Sequence, residues 1–165
     1  MNQFINFFWT VLGFAAVFHY WFSVGLSAWF YVFICLSFIS AFLSRNFFYR
    51  IQLSRETKFY ERLGVRFIRK FVQHGDLANR IAGKNSTIQR AADPEKYLST
   101  IMMYERYHFI CFIFFLLTNI VAIIQGHYAV ALLIMISNVV YNVFPILLQQ
   151  FNRIRVLRCY NQKSV

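Results

Sequence analysis

Glu105 and His108 stand three residues apart, one helical turn, at the edge of a long apolar stretch. An acid and an imidazole at that spacing share a helix face, which suits general acid–base work or a hydrogen-bonded pair. Further along, Asn138, Asn142, Pro145, Gln149 and Asn152 recur at separations of 4, 3, 4 and 3 residues. At 100° per residue they fall on one stripe about 80° wide. Amides in hydrocarbon are unfavourable unless hydrogen-bonded, so the stripe predicts a face turned inward against other helices. The plain structural account is helix–helix glue, at about 0.6 kcal/mol per interhelical hydrogen bond. Arg153 and Arg155 close this segment. A matching stripe on the preceding apolar segment runs through Glu105, His108, Phe112, Phe115, Asn119 and Ala122.

His74 and Asp76 in "HGD" form a weaker acid–base candidate, because the spacing is not that of an HxxxxD acyltransferase. GxSxG, P-loop, GxGxxG and HExxH patterns are absent, which removes the familiar catalytic signatures. Cys35, Cys111 and Cys159 show no CxxC and no metal-ligand spacing. They read as small apolar packing residues, and no metal is expected.

The elements that must carry these residues are membrane helices. The chain of 165 residues is 59% hydrophobic and only 14% charged, against about 45–50% and about 25% in soluble domains. Residues 1–44 contain no charged side chain. Residues 107–152 carry none apart from histidine. A span takes roughly 20 apolar residues, so each stretch is long enough to fold back once. "SVGLS" divides the first into spans of about 4–22 and 27–44; one span followed by a re-entrant or interfacial segment is the alternative. "QGH" divides the second into spans of about 107–124 and 128–149. The expected fold is an all-α integral membrane protein forming one domain over 1–165. It has about four transmembrane helices in two hairpins, plus a basic amphipathic interfacial helix. Without a basic n-region or an A-x-A-like cleavage site, the first apolar stretch reads as a retained anchor rather than a signal peptide.

Of the 17 basic residues, 13 lie in segment 45–106 together with all 6 acids, and the other four lie in the tail, 150–165. Two hairpins place both blocks on one side, cytoplasmic by the positive-inside rule. Within "RETKFYERLGVRFIRKF", helical spacing puts Phe59, Tyr60, Leu63, Phe67 and Phe71 on one arc. Arg55, Lys58, Arg62, Arg66 and Arg69 occupy the adjoining arc. Such a helix lies in the headgroup plane and favours anionic lipids, not nucleic acid. Pro94 and Glu95 suit the first turn of a helix leading into the third span, with Asp93 as its N-cap.

Three stretches together resemble the glycosyl-4,4'-diaponeurosporenoate acyltransferases of staphyloxanthin-type carotenoid synthesis. Phe59, Tyr60, Leu63, Gly64, Val65 and Arg66 follow that family's F-Y-x-x-L-G-(I/V)-R pattern, and Gly75 stands at its loop glycine. In the closing motif Pro145, Gln149, Asn152, Arg153 and Arg155 match, with one extra residue between Asn142 and Pro145. Gln150 and Phe151 replace an Arg and a Tyr there. The middle motif, E-T-x-R-x-E-x-x-H-W, departs most. Met103, Tyr104, His108 and Cys111 stand at its acid, threonine and histidine positions, and Phe112 at its tryptophan; only Arg106 matches. Glu105 and His108 then offer an acid and a histidine shifted by one turn.

The resemblance implies a membrane acyltransferase of the bacterial inner (cell) membrane that esterifies a hydroxyl of a lipid or glycolipid. His108 or His74, with Glu105 and Asp76, would serve as acid–base groups. Arg66, Arg106, Asn142, Gln149, Asn152, Arg153 and Arg155 would bind substrate. No cofactor is expected; an acyl thioester, acyl-CoA or acyl-carrier protein, is the co-substrate. A non-catalytic lipid-binding or scaffold subunit, with a partner membrane protein, is the alternative the departures leave open. A transporter has less support, since no intramembrane charged pathway is evident.

Overall fold

The computed structural model describes residues 2–71 and 94–163. All regular structure among them is helical. Three helical segments are long and apolar enough to cross a membrane, namely Phe7–Val24, Glu95–Ile124 and Tyr128–Arg158. The chain is an all-α membrane protein. Its helices are α1 (Asn2–Val24), α2 (Ala28–Ile39), α3 (Arg45–Arg50), α4 (Thr57–Arg62), α5 (Val65–Phe71), α6 (Pro94–Ile124), α7 (Tyr128–Asn138) and α8 (Phe144–Lys163).

Two compact units share these helices. Among the described residues, one comprises 7–43 and 106–143, the other 2–6, 44–71, 94–105 and 144–163. In the first, Val17, Tyr20, Trp21, Phe33, Phe114, Phe115, Ala131, Ile134 and Tyr141 form a buried aromatic-rich core. Two polar pairs sit inside it: Trp21 Nε1 donates to Thr118 Oγ1 at 3.2 Å, and the Tyr20 hydroxyl to Gln125 Oε1 at 2.9 Å. Phe7, Phe22, Leu132, Leu133 and Ile136 face outward, the pattern of a unit solvated by lipid rather than water.

The second apolar segment is shorter than a 27–44 span. α2 has 12 residues and a 3-10 turn, Ser40–Phe42, ends it. Even counted to Phe42 it falls short of the roughly 20 residues that cross a bilayer. Ser37 and Ser40 donate to the carbonyls of Phe33 and Ser37 at 2.7 and 2.6 Å, local bonding that loosens the helical ladder at its end.

In the second unit the amphipathic helix expected over 55–71 is two helices. Gly64 lies at φ +79° and its N–H caps the Glu61 carbonyl at 3.1 Å, ending α4. A left-handed residue after a helix is the glycine stop signal, and α5 restarts at once. Phe59, Leu63 and Phe67 are exposed together with Lys58, Arg62 and Arg66, whereas Tyr60 and Val65 are buried. From Pro94, the first residue described after 71, the chain is helical and includes Glu95; Asp93 lies outside the described residues.

Between α7 and α8 the helix continues through a π-helical turn, Val139–Val143. A π turn takes up one extra residue. Beyond it Pro145 is buried, whereas Gln149 and Asn152 of the predicted stripe are only half-buried. Gln150 and Arg153 are the fully buried ones.

Tyr141 packs so closely on Gly13 that a Cβ there would meet Tyr141 Cγ at 2.6 Å. The Gly13→Ala variant should lose about 1–3 kcal/mol through overpacking. Thermal unfolding of the detergent-solubilised protein, followed by near-UV circular dichroism, reads that loss.

Candidate functional site

Polar side chains gather in each unit, and the two clusters differ in kind. In the unit containing α3–α5 the centre is an ion pair. Arg153 Nη1 donates to Glu105 Oε2 at 2.8 Å, with side-chain exposures of 1% and 0%. Arg153 Nε donates to Gln52 Oε1 at 3.0 Å and Nη2 to the Phe48 carbonyl at 3.1 Å. The Tyr49 ring lies 4.6 Å from the guanidinium carbon, close enough for cation–π attraction. Gln150 extends the network: its Nε2 reaches Glu105 Oε1 at 3.5 Å, and its Oε1 accepts from the Tyr60 hydroxyl at 2.9 Å. Burial pushes the Tyr60 phenol above its ordinary range, so it stays a neutral donor.

Glu105 is therefore engaged with Arg153 and Gln150. Arg153 has each of its three nitrogens bonded to the protein. Arg155 lies half-buried with its guanidinium 5.5 Å from the Phe151 ring. Arg66 is exposed and pairs with Glu61 at 2.9 Å, a surface contact of little energetic weight. Gln149 and Asn152 are half-buried on α8. His74 and Asp76 lie outside the described residues.

The other unit holds His108, Arg106 and Asn142. Arg106 Nη2 donates to the Leu43 carbonyl at 3.0 Å. Asn142 is completely buried; its Nδ2 donates to Asn138 Oδ1 at 2.8 Å, and Asn138 Nδ2 donates to the Phe112 carbonyl at 3.3 Å. The Asn142 side chain and the Tyr141 backbone approach the His108 imidazole. Neither His108 Nδ1 nor Asn142 Oδ1 reaches hydrogen-bond geometry with any described residue. Pro145 explains part of this crowding: it brings no N–H to the Tyr141 carbonyl four residues earlier, leaving that group to the site. The His108 ring packs edge-on against Tyr107 and Tyr141, with centroids 5.0 and 5.6 Å away. Among the described residues no group of three or more His, Cys, Asp or Glu side chains is placed to hold a metal.

Periodicity pointed to His108 and Asn142. It gave no reason to single out Tyr141 or Tyr107, whose hydroxyls lie 2.8 Å apart, or Thr10, 3.0 Å from the Tyr141 hydroxyl. The one available signal was Thr10 itself, the only polar residue from Phe7 to Phe18 of α1. Gln150 and Tyr60 entered the sequence reading only through the motif and the amphipathic arc, and neither was named as a site residue.

These features define a helical membrane protein with an imidazole–amide site. Residues 44–162 match the glycosyl-4,4'-diaponeurosporenoate acyltransferase family, and the chain belongs to that family. It is an acyltransferase-like membrane protein. No curated protein and no solved structure matches it.

Breaking the buried pair should be costly. Arg153→Ala or Glu105→Ala leaves one ion uncompensated, a loss of about 3–5 kcal/mol. The double variant Glu105→Leu/Arg153→Met should recover most of it. Thermal unfolding of the four proteins in detergent checks both statements.

Proposed function

We propose that the protein transfers a long-chain acyl group from a thioester carrier to a hydroxyl of a lipid or glycolipid acceptor. The observation that supports this reading is His108, whose Nδ1 has no hydrogen-bond partner among the described residues, beside the fully buried Asn142. An acceptor hydroxyl is a poor nucleophile until a base removes its proton in the transition state. His108 is that base, and the hydroxyl's single hydrogen goes to it. Acyl transfer closes when the carrier thiol leaves with the proton His108 took.

The apolar surface of the surrounding helices suits a substrate whose chains lie in the membrane. On α4 and α5, the exposed Lys58, Arg62 and Arg66 alternate with exposed Phe59, Leu63 and Phe67. In this reading that face rests among anionic headgroups, on the cytoplasmic side of a bacterial cell membrane. A phosphate-bearing carrier such as acyl-CoA is drawn to the same basic surface.

The test uses purified protein in nanodiscs with palmitoyl-CoA and a panel of hydroxyl-bearing lipids and alkyl glycosides. Wild type should form an acyl ester detectable by mass spectrometry. His108→Ala should lower kcat by about 10²–10⁴-fold, the usual contribution of a positioned base, at unchanged thermal stability. Full activity in His108→Ala, or no ester from wild type with any acceptor, would sink the reading.

A further inference from the structure

Acyl transfer needs a second kind of group besides a base. As the acceptor oxygen attacks, the carbonyl oxygen of the thioester becomes negative, and a donor aimed at it commonly supplies the largest single stabilisation. We propose that the Tyr107 hydroxyl is this oxyanion donor, polarised by a chain of hydroxyls that runs through Tyr141 to Thr10. The inference rests on the acyl-transfer reading above.

Three observations carry it. The Tyr107 and Tyr141 hydroxyl oxygens are 2.8 Å apart, and the Tyr141 hydroxyl is 3.0 Å from Thr10 Oγ1; either partner can donate in both contacts. When Thr10 donates to Tyr141 and Tyr141 donates to Tyr107, the Tyr107 hydrogen is left for a further acceptor. Successive hydroxyls polarise one another, which strengthens the terminal donor. Cys111 stands one turn further along α6, and sulfur is a weak acceptor that an oxyanion displaces.

Second, Tyr107 is adjacent to His108 in α6 and their rings pack at 5.0 Å. A base and an oxyanion donor must flank one reacting carbon, and here they come from one rigid helical turn. Third, Tyr107 is 42% exposed, whereas Tyr141 is 7% exposed. The outer hydroxyl-bearing residue can meet a substrate; the inner one is fixed, held by Thr10 and by contact with Gly13.

The step balances without any further reactant. The acceptor O–H bond breaks and its proton passes to His108 Nδ1 while the oxygen bonds the thioester carbon. The carbonyl π electrons move to oxygen, where the Tyr107 O–H receives them as a hydrogen-bond donor. The oxyanion then re-forms C=O, the C–S bond breaks with its electrons on sulfur, and the carrier thiolate takes the proton from His108. Tyr107 acts as donor throughout and ends unchanged. Thr10 and Tyr141 are positioning residues, and Thr10 lies outside the family-matched segment 44–162.

Tyr107→Phe removes one oxygen and keeps the ring packing. It should lower kcat about 10²–10³-fold, with KM for palmitoyl-CoA and thermal stability unchanged. Tyr141→Phe and Thr10→Val should lower kcat by smaller factors in that order. A binding measurement isolates the donor from the rest of the reaction. A long-chain alkyl trifluoromethyl ketone, which hydrates to a tetrahedral mimic, should bind wild type at least tenfold more tightly than it binds Tyr107→Phe. The corresponding methyl ketone should not discriminate. Equal trifluoromethyl ketone affinity in the two proteins, or wild-type kcat in Tyr107→Phe, overturns the donor assignment while leaving acyl transfer standing. Discriminating ketone binding in a protein that esterifies no acceptor would instead overturn the function and leave the donor.

Discussion

A carboxylate and a guanidinium 2.8 Å apart, both shut away from solvent, govern everything packed around them. Taking each ion out of water is unfavourable by several kcal/mol, and the mutual attraction offsets this only when the remaining donors and lone pairs are also met. Arg153 meets that condition through Gln52, the Phe48 carbonyl, Glu105 and the Tyr49 ring. Those partners come from α3, from the irregular stretch after it, and from α6. Residues 51–56 have almost no regular structure of their own. They are held because Leu53 N–H and the Tyr60 hydroxyl both bond Gln150, while Arg158 reaches Thr57 and the Arg55 carbonyl. The short helices of this unit thus depend on one face of α8.

That face is where sequence reasoning and structure part company. Hydropathy identified the apolar helices, and charge segregation identified the basic segment, because both depend on composition over twenty or more residues. A seam is a statement about phase, and phase survives only while the helix keeps 3.6 residues per turn. The turn at Val139–Val143 breaks that condition, and on α8 it is Gln150 and Arg153, not Gln149 and Asn152, that are fully buried. One mark of the turn was visible: the extra residue between Asn142 and Pro145 relative to the closing motif that the sequence resembles. A single added residue inside a helix, next to a proline that cannot donate to the fourth carbonyl behind it, is what a π turn accommodates. The same reasoning applies to α4 and α5, where Gly64 already stood in the middle of the amphipathic pattern as a potential stop.

The imidazole site was legible in a different proportion. His108 and Asn142 could be found because a polar residue on an apolar helix is conspicuous. Thr10, Tyr107 and Tyr141 could not be grouped, since they come from three separate segments and tyrosine is ordinary in a chain that is 21% aromatic. Their association depends on Gly13, which admits the Tyr141 ring, and on the π turn, which carries Tyr141 and Asn142 inward together. Neither condition is expressed by a period or a motif.

The two polar clusters are best distinguished by what they have left over. Around Arg153 the strongest donors and acceptors are spent on one another, and such a network rigidifies without offering a substrate anything. Around His108 the accounting stays open, with an imidazole nitrogen and an amide oxygen unmatched among the described residues. An unmatched buried polar atom is unfavourable by about 1–3 kcal/mol, so a fold has reason to close it unless something else uses it. Satisfying Asn142 Oδ1 from within would have been simple, because Asn138 lies one turn away and already accepts from its Nδ2. The structure directs the Asn138 amide nitrogen to the Phe112 carbonyl instead. Residual capacity at His108 and Asn142, beside helices whose outer surface is apolar, is the condition under which a membrane-dissolved hydroxyl can be bound and deprotonated.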